Sequence, residues 1–252
     1  MALSFVELSN SPRTLPADEL HVWFGPLEFS GEHREQIENL LSAEERERAK
    51  KFIAPQARDS FVATRAILRS LLSSYLAISP HQISLDVGPH GKPELSSAHA
   101  NKVCFNVSHS HGMGLCAFTA SQPVGADVEK IRASFEGMEI AERFFSKAEI
   151  AVLNQVPQPR RAEAFFRCWT RKEAYIKARG LGMSIPLDSF SVEFADTREQ
   201  TLRDENNEEW SCYDLDVGAD YAAAVVARGK GWKLRRFSWN MSEAALHGEI
   251  RD

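Results

Sequence analysis

Two short runs in this chain place acidic and basic side chains at spacings that chemistry can use. In Val124-Gly125-Ala126-Asp127-Val128-Glu129, the two-residue period of a strand puts both carboxylates on one face, with Ala126 and Val128 on the other. Read alone, Asp127-x-Glu129 is a weak signal and also describes a solvated strand face. In Cys168-Trp169-Thr170-Arg171-Lys172-Glu173-Ala174-Tyr175-Ile176-Lys177, a helix stacks Trp169, Glu173 and Lys177 at i, i+4 and i+8. Alone, this is equally a surface Glu–Lys pair contributing about 0.2–0.5 kcal/mol. Together the runs supply three carboxylates and a lysine. That set suits Mg²⁺, which takes a few carboxylates, keeps waters and completes its octahedron with substrate phosphates. The lysine would neutralise phosphate oxygens as charge builds in a transition state.

Three further groups carry weaker signals. Lys92 sits in His90-Gly91-Lys92-Pro93, a stiffened turn that suits a phosphate ligand, although an exposed turn lysine is ordinary. His109 and His111 lack a third His or Cys at metal-ligand spacing. Ser108 and His109 are adjacent on a strand and point to opposite faces, which argues against a nucleophile–base pair. Residues 44–69 hold seven basic and four acidic side chains, among them Arg48, Arg65 and Arg69. They read either as a solvated helix face or as a site for phosphates away from the metal.

The elements that must position these residues follow from periodicity and punctuation. His21–Phe24 reads as a short strand. Ser42-Ala43-Glu44-Glu45 is a capping box opening a charged helix. Asp59 is expected to cap a longer helix, with Phe61, Ile67, Leu71 and Tyr75 at helical spacing and an end near Ser79-Pro80. Two strand-like runs, KVCFNVS and GLCAFTA, are joined by a polar hairpin connection. After a seam at Ser121-Gln122-Pro123 come the VGADVEK strand, a second capping box at Ser146–Glu149, and a helix from about Arg160 to Arg179 stopped by Gly180 and Gly182. The tail is β-rich, beginning with the alternating run DSFSVEFA and continuing through WSCYDLDV, DYAAAVVA and WKLRRFSW. Each half thus runs from a long helix to a strand and then a hairpin-like pair. No residue-level repeat is visible, and the expectation is an α+β duplication, divided as 1–120 and 121–252, with a site at the interface of the halves.

In this order the segments resemble the Sfp-type 4′-phosphopantetheinyl transferases. The resemblance rests on GKP (91–93), FNVSHS (105–110), GADVE (125–129), FFSKAE (144–149) and WTRKEAYIKARGLGMSIPLDSF (169–190), and covers about residues 40 to 240. It implies a pseudodimer of two similar α+β halves, with coenzyme A phosphates bound by the first and Mg²⁺ by the second. It also implies transfer of phosphopantetheine from coenzyme A to a serine of an acyl or peptidyl carrier protein, with release of adenosine 3′,5′-bisphosphate. Asp127, Glu129 and Glu173 would hold Mg²⁺, with Mn²⁺ as the alternative. Glu173 would also deprotonate the carrier serine, and Lys177 would hold the pyrophosphate. Lys92, Pro93, Ser108 and His109 match nucleotide- and phosphate-binding positions. Arg48 matches a basic residue on the 3′-phosphate, with Arg65 or Arg69 assisting. Glu45 departs from a position where the family pattern can carry lysine. The candidate for carrier docking is Arg132–Phe145, where Phe135, Met138 and Ile140 form an apolar patch or else pack the core. A Mg²⁺-dependent nucleotide pyrophosphohydrolase and a non-catalytic carrier-binding adaptor are the rival readings.

Bulk properties set the remaining bounds. The 252 residues are 43% hydrophobic and 26% charged, enough for a buried core and inconsistent with wholesale disorder. A net charge of −5 argues against a general nucleic-acid binder. Residues 193–220 hold ten acidic and two basic side chains, so the sum hides a basic surplus elsewhere. Four scattered cysteines suggest reduced thiols in a cytoplasmic protein. No signal peptide or membrane span is evident, and the duplicated halves make a monomer the expected state.

Overall fold

The computed structural model describes residues 2–3, 13–88, 93–97, 103–132, 137–194, 197–239, 246–247 and 249–250. Strands β1 (Ala2–Leu3) and β2 (Glu19–Pro26) precede helices α1 (Arg34–Glu38), α2 (Ala43–Lys50) and α3 (Pro55–Leu76). Strands β3 (Leu85–Val87), β4 (Pro93–Leu95), β5 (Cys104–Ser110) and β6 (Met113–Thr119) follow. The second half contains β7 (Val124–Lys130), α4 (Met138–Phe144), α5 (Lys147–Gln155), α6 (Gln158–Arg179), β8 (Glu199–Arg203), β9 (Glu209–Asp214) and β10 (Tyr221–Arg228). Strands β11 (Lys233–Ser238), β12 (Leu246–His247) and β13 (Glu249–Ile250) close the chain.

Strand alternation explains how these elements stack. In β6, Cys116 and Phe118 pack with Val62, Ala66 and Leu71 of α3, whereas Leu115 and Ala117 face the other way. In β10, Ala222, Ala224 and Val226 pack with Phe166, Ala174 and Ala178 of α6, whereas Ala223, Val225 and Ala227 meet Leu115 and Ala117. Both strands are therefore apolar on both faces. The result is four layers: α3, the sheet β13-β11-β2-β6-β5, the sheet β7-β10-β9-β8, and α6. Both sheets belong to one α+β pseudodimer, and the halves are not closed units. Strand β11 crosses back and pairs in parallel with β2, so the last described ladder of residues 121–252 extends the first sheet.

A residue-level repeat absent from the sequence reading emerges in the packing. The capping-box carboxylate Glu45 accepts a 2.6 Å bond from Arg69, which also donates to the carbonyls of Pro80 and Ile83 at 2.7 and 3.0 Å. The capping-box carboxylate Glu149 pairs at 2.8 Å with Lys172, which donates to the carbonyls of Leu187 and Phe190 at 2.7 Å each. Arg69 and Lys172 are each the fifteenth residue of a 22-residue helix, and both are buried. The repeat escapes the sequence because one cation is Arg and the other Lys, and because the carbonyls they reach lie at unequal separations. It also accounts for Glu45 at a position where the family pattern can carry lysine.

Several boundaries differ from expectation. Helix α3 begins at Pro55 with Ala54 as its cap, because proline fits the first helical turn. Asp59 is instead clasped by Arg34 at 2.8 and 3.0 Å. The helix ends at Leu76, where Ala77 turns left-handed (φ 53°), three residues before Pro80. Helix α6 starts two residues earlier than expected and ends, as read, against Gly180. The alternating run at 188–195 is no strand over its described residues 188–194: its acceptors serve buried cations rather than a ladder. Lys172 takes Phe190, and Arg171 takes the carbonyl of Glu193. A groove of about 1080 Å³ opens beside this segment, between Val152 of α5 and β8, and contains none of the candidate site residues.

Candidate active site

The site lies where β5, at the edge of the first sheet, runs beside β7, at the edge of the second. No backbone ladder joins them. Alternate side chains of β5 do so instead: Asn106 Oδ1 accepts from the Ala126 N–H at 2.8 Å, Ser108 Oγ from Val128 at 3.4 Å, and Ser110 Oγ from Lys130 at 3.3 Å. Ser108 donates onward to Asp127 Oδ1 at 2.9 Å, and Ser110 donates to Glu129 Oε2 at 2.7 Å.

Helix α6 closes the other side. Its approach is set by Gly125, where an added Cβ would lie 2.1 Å from the Ala174 carbonyl and 2.3 Å from the Ala178 nitrogen. That contact brings Lys177 onto β7, where its ammonium sits 2.6 Å from Asp127 Oδ1 and 3.3 Å from Ser108 Oγ. Asp127 is buried, so a solvated strand face does not describe it. Its second oxygen, Oδ2, is buried without a hydrogen-bond partner. Glu173, one turn before Lys177, is half-buried and feels Lys177, Asp127 and Glu129. Burial pushes its carboxyl above the ordinary range; Lys177 opposes this, and the two neighbouring carboxylates reinforce it. Glu129 is raised for the same first reason, and its bond from Ser110 counters the shift. Lys177 stays above the usual lysine range because the carboxylates outweigh its own desolvation.

Asp127, Glu129, Glu173 and Lys177 are thus one electrostatic cluster. Among the described residues no three His, Cys, Asp or Glu side chains already converge as a metal site. The donor set nonetheless fits a hard cation: it consists of carboxylate oxygens, and Asp127 Oδ2 is buried and unsatisfied.

The remaining candidates divide by location. Ser108 joins the cluster directly. His109 points to the opposite face of β5 and is exposed, as the alternation requires; desolvation and the Lys177 charge lower its pKa. Pro93 opens β4, paired with Val87, and Lys92 lies outside the described residues. Arg48 and Arg65 flank the Phe61 ring at 5.3 and 5.5 Å, forming a separate basic pair between α2 and α3. Arg65 also lies 3.9 Å from Glu45, and Arg69 is consumed by its buried bonds. Of the proposed docking patch, Phe135 lies outside the described residues, and Met138 and Ile140 pack against the core of the second half. Trp169 stacks on Phe165 at 6.0 Å rather than facing β7. Asn106, Ser110 and Gly125 were not singled out from sequence. The signal existed: Asn106, Ser108 and Ser110 alternate on one face, opposite Phe105, Val107 and His109.

Fold and site together define a two-half α+β protein with one oxygen-rich, lysine-bearing cluster where its sheets meet. Residues 123–226 match the 4′-phosphopantetheinyl transferase superfamily, and residues 30–122 match the N-terminal region of 4′-phosphopantetheinyl transferases. The two matches meet between residues 122 and 123. The chain is 36% identical over 221 residues to 4′-phosphopantetheinyl transferase HetI of Nostoc sp. (strain PCC 7120), covering 87% of this chain and 92% of that protein. It is 35% identical over 167 residues to 4′-phosphopantetheinyl transferase Sfp of Bacillus subtilis (strain 168), covering 65% and 71%. A third relative, 4′-phosphopantetheinyl transferase ffp of Bacillus subtilis, is 33% identical over 203 residues, covering 79% and 87%. The chain belongs to the 4′-phosphopantetheinyl transferase family, Sfp type, and is a transferase.

Proposed function

We propose that this protein transfers the 4′-phosphopantetheine group of coenzyme A to a serine hydroxyl of an acyl or peptidyl carrier protein. The observation that carries this reading is Asp127: a buried carboxylate with one oxygen held by Lys177 and Ser108 and the other unsatisfied, in a chain whose relatives are named for this transfer.

The serine oxygen forms a bond to the phosphorus that bears pantetheine. The bond from that phosphorus to the bridging pyrophosphate oxygen breaks, and adenosine 3′,5′-bisphosphate leaves with the electron pair. Phosphoryl transfer depends mainly on positioning and charge neutralisation. Asp127, Glu129 and Glu173 would hold Mg²⁺, or Mn²⁺, which neutralises pyrophosphate charge when bound. Lys177 exchanges its hold on Asp127 for pyrophosphate oxygens. Glu173, half-buried one turn before Lys177, takes the serine proton directly or through a water. Ser108 and His109, with Lys92 and Pro93, hold the nucleotide and its phosphates. Arg48 and Arg65, on their separate basic face, take the 3′-phosphate. In the described part of residues 132–145 the exposed Arg132 and Arg143 are the side chains that would meet the acidic carrier.

The protein works as a cytoplasmic monomer that needs neither nucleic acid nor a membrane. Among the described residues, no helix is long and apolar enough to cross a membrane. The relatives named above are transferases, which lends no support to the pyrophosphohydrolase or the adaptor. Incubation with coenzyme A, Mg²⁺ and an apo-carrier should add the mass of 4′-phosphopantetheine to the carrier. Coenzyme A cleavage without carrier modification would sink the transfer reading.

A further inference from the structure

We propose that Asn106 and Ser110 are positioning residues that hold the carboxylate-bearing strand in register; this rests on the transferase reading above. Strand β5 spends its backbone ladder on β6, and β7 spends its own on β10. Where the two edges face each other, the N–H groups of Ala126, Val128 and Lys130 need acceptors, and Asn106, Ser108 and Ser110 provide them.

The two hydroxyls do more than satisfy backbone. A serine hydroxyl has one donor and two acceptor sites. Ser110 donates to Glu129, accepts from Lys130 N–H, and meets His111 Nδ1 at 3.0 Å, which fills its second acceptor site when that nitrogen carries the proton. Ser108 donates to Asp127 and accepts from Val128 N–H and Lys177. Each hydroxyl thereby clamps a carboxylate and the backbone nitrogen of the next residue, and Ser108 holds a phosphate only when its proton turns from Asp127 to that oxygen. Ser110 fixes the Glu129 carboxylate although coenzyme A phosphates and a cation need touch only Glu129. Asn106, two residues before Ser108, sets the register for the whole row.

The consequence concerns cation affinity. Groups that orient a ligating carboxylate typically cost about 10–100-fold in metal affinity when removed. Mn²⁺ binding, followed by electron paramagnetic resonance with coenzyme A present and no carrier, should weaken about tenfold or more in Ser110→Ala. In the transfer assay kcat should fall while the carrier KM holds. Ser110→Thr, which keeps the hydroxyl, should restore both. Ser110→Cys, with similar volume and a weak donor, gives the same reading if the alanine variant fails to fold. Asn106→Leu should also weaken Mn²⁺ binding. If wild type modifies carrier and Ser110→Ala and Ser110→Cys bind Mn²⁺ with wild-type affinity, the positioning role of Ser110 is overturned, even where their Tm drops. A fall in Tm alone for Asn106→Leu removes Asn106. Failure of wild type to modify any apo-carrier refutes the transferase reading instead.

Discussion

Lys177 and Asp127 form a 2.6 Å ion pair that ties the long helix of the second half to its first strand. Lys177 is the cation in contact with a cluster of three carboxylates, two of them shifted toward protonation. Replacing it by methionine removes the balance. Lys177→Met should lower kcat by about 10²–10³, the usual loss of a charge-stabilising donor. Its carboxylates then gain further upward shifts. A carboxylate raised in the folded state favours folding below its unfolded pKa and loses that contribution as pH rises through the folded pKa. The deficit in Tm should therefore be larger at pH 8 than at pH 5; an equal deficit at both would show that the charge cluster is not its source.

Glu173 gives the complementary case. Its carboxyl is raised first by burial and then by Asp127 and Glu129, so at neutral pH its ionised form costs stability. Glu173→Gln should abolish transfer while raising Tm at pH 7, with the gain shrinking toward pH 4. In the metal-free wild type the Glu173 carboxyl, followed by side-chain carbon NMR, should titrate above the ordinary glutamate value of about 4.3. A midpoint at or below that value would show that burial does not govern this carboxyl.

Gly125 controls the distance between strand and helix. With a Cβ only 2.1 Å from the Ala174 carbonyl, Gly125→Ala must push α6 away from β7. Overpacking typically costs about 1–3 kcal/mol, and a clash with backbone belongs at the upper end. Urea unfolding should record that loss, and transfer should fall even at temperatures where the variant is fully folded. Wild-type kcat in a folded variant would show that the helix spacing does not set the geometry of Glu173 and Lys177.

The buried pair Glu149–Lys172 should behave as a coupled unit. Lys172→Met leaves a buried carboxylate held by the N–H groups of Ser146 and Val192 and the Cys168 thiol but with no cation beside it, a loss of about 3–5 kcal/mol. Adding Glu149→Gln removes the stranded charge and should recover part of it. A double-mutant cycle that adds within about 0.5 kcal/mol would deny the coupling.

Arg48 and Arg69 should separate binding from folding. Arg48 is exposed beside Phe61, so Arg48→Ala should raise the coenzyme A KM with little change in kcat or Tm. Arg69→Ala opens a buried bond network and should lower Tm sharply. An unchanged KM for Arg48→Ala would take Arg48 out of the site.

Much of this was legible in the residues. The two capping boxes, the hairpin at His111-Gly112, the VGADVEK strand and the Trp169–Lys177 helix all follow from local spacing, and the pairing of that strand with that helix was implied by the family resemblance. What escaped depends on distant partners. DSFSVEFA alternates like a strand, yet Lys172 and Arg171 claim its carbonyls over the described part. Strand β11 follows β10 in sequence but pairs with β2, some two hundred residues earlier. Asp127 resembled a solvated carboxylate because nothing local reveals that β5 and α6 cover it. The basic run at 44–69 resembled one surface, although Arg69 is interior and Arg46 caps the carbonyl of Leu41.

The paired cations Arg69 and Lys172 provide a common origin for counting along the two long helices. One and five residues after Lys172 stand Glu173 and Lys177; at the same steps after Arg69 stand Ser70 and Ser74. Both serines are buried, Ser70 Oγ has no partner, and Ser74 merely bonds back to Leu71. The duplicated frame therefore divides its labour. One copy tolerates crowded charge and the instability that accompanies it, while the other is uncharged at the matching steps. Substitutions that strengthen α3 away from Arg65 should raise the stability of the whole chain without touching turnover, since the two helices form opposite outer layers.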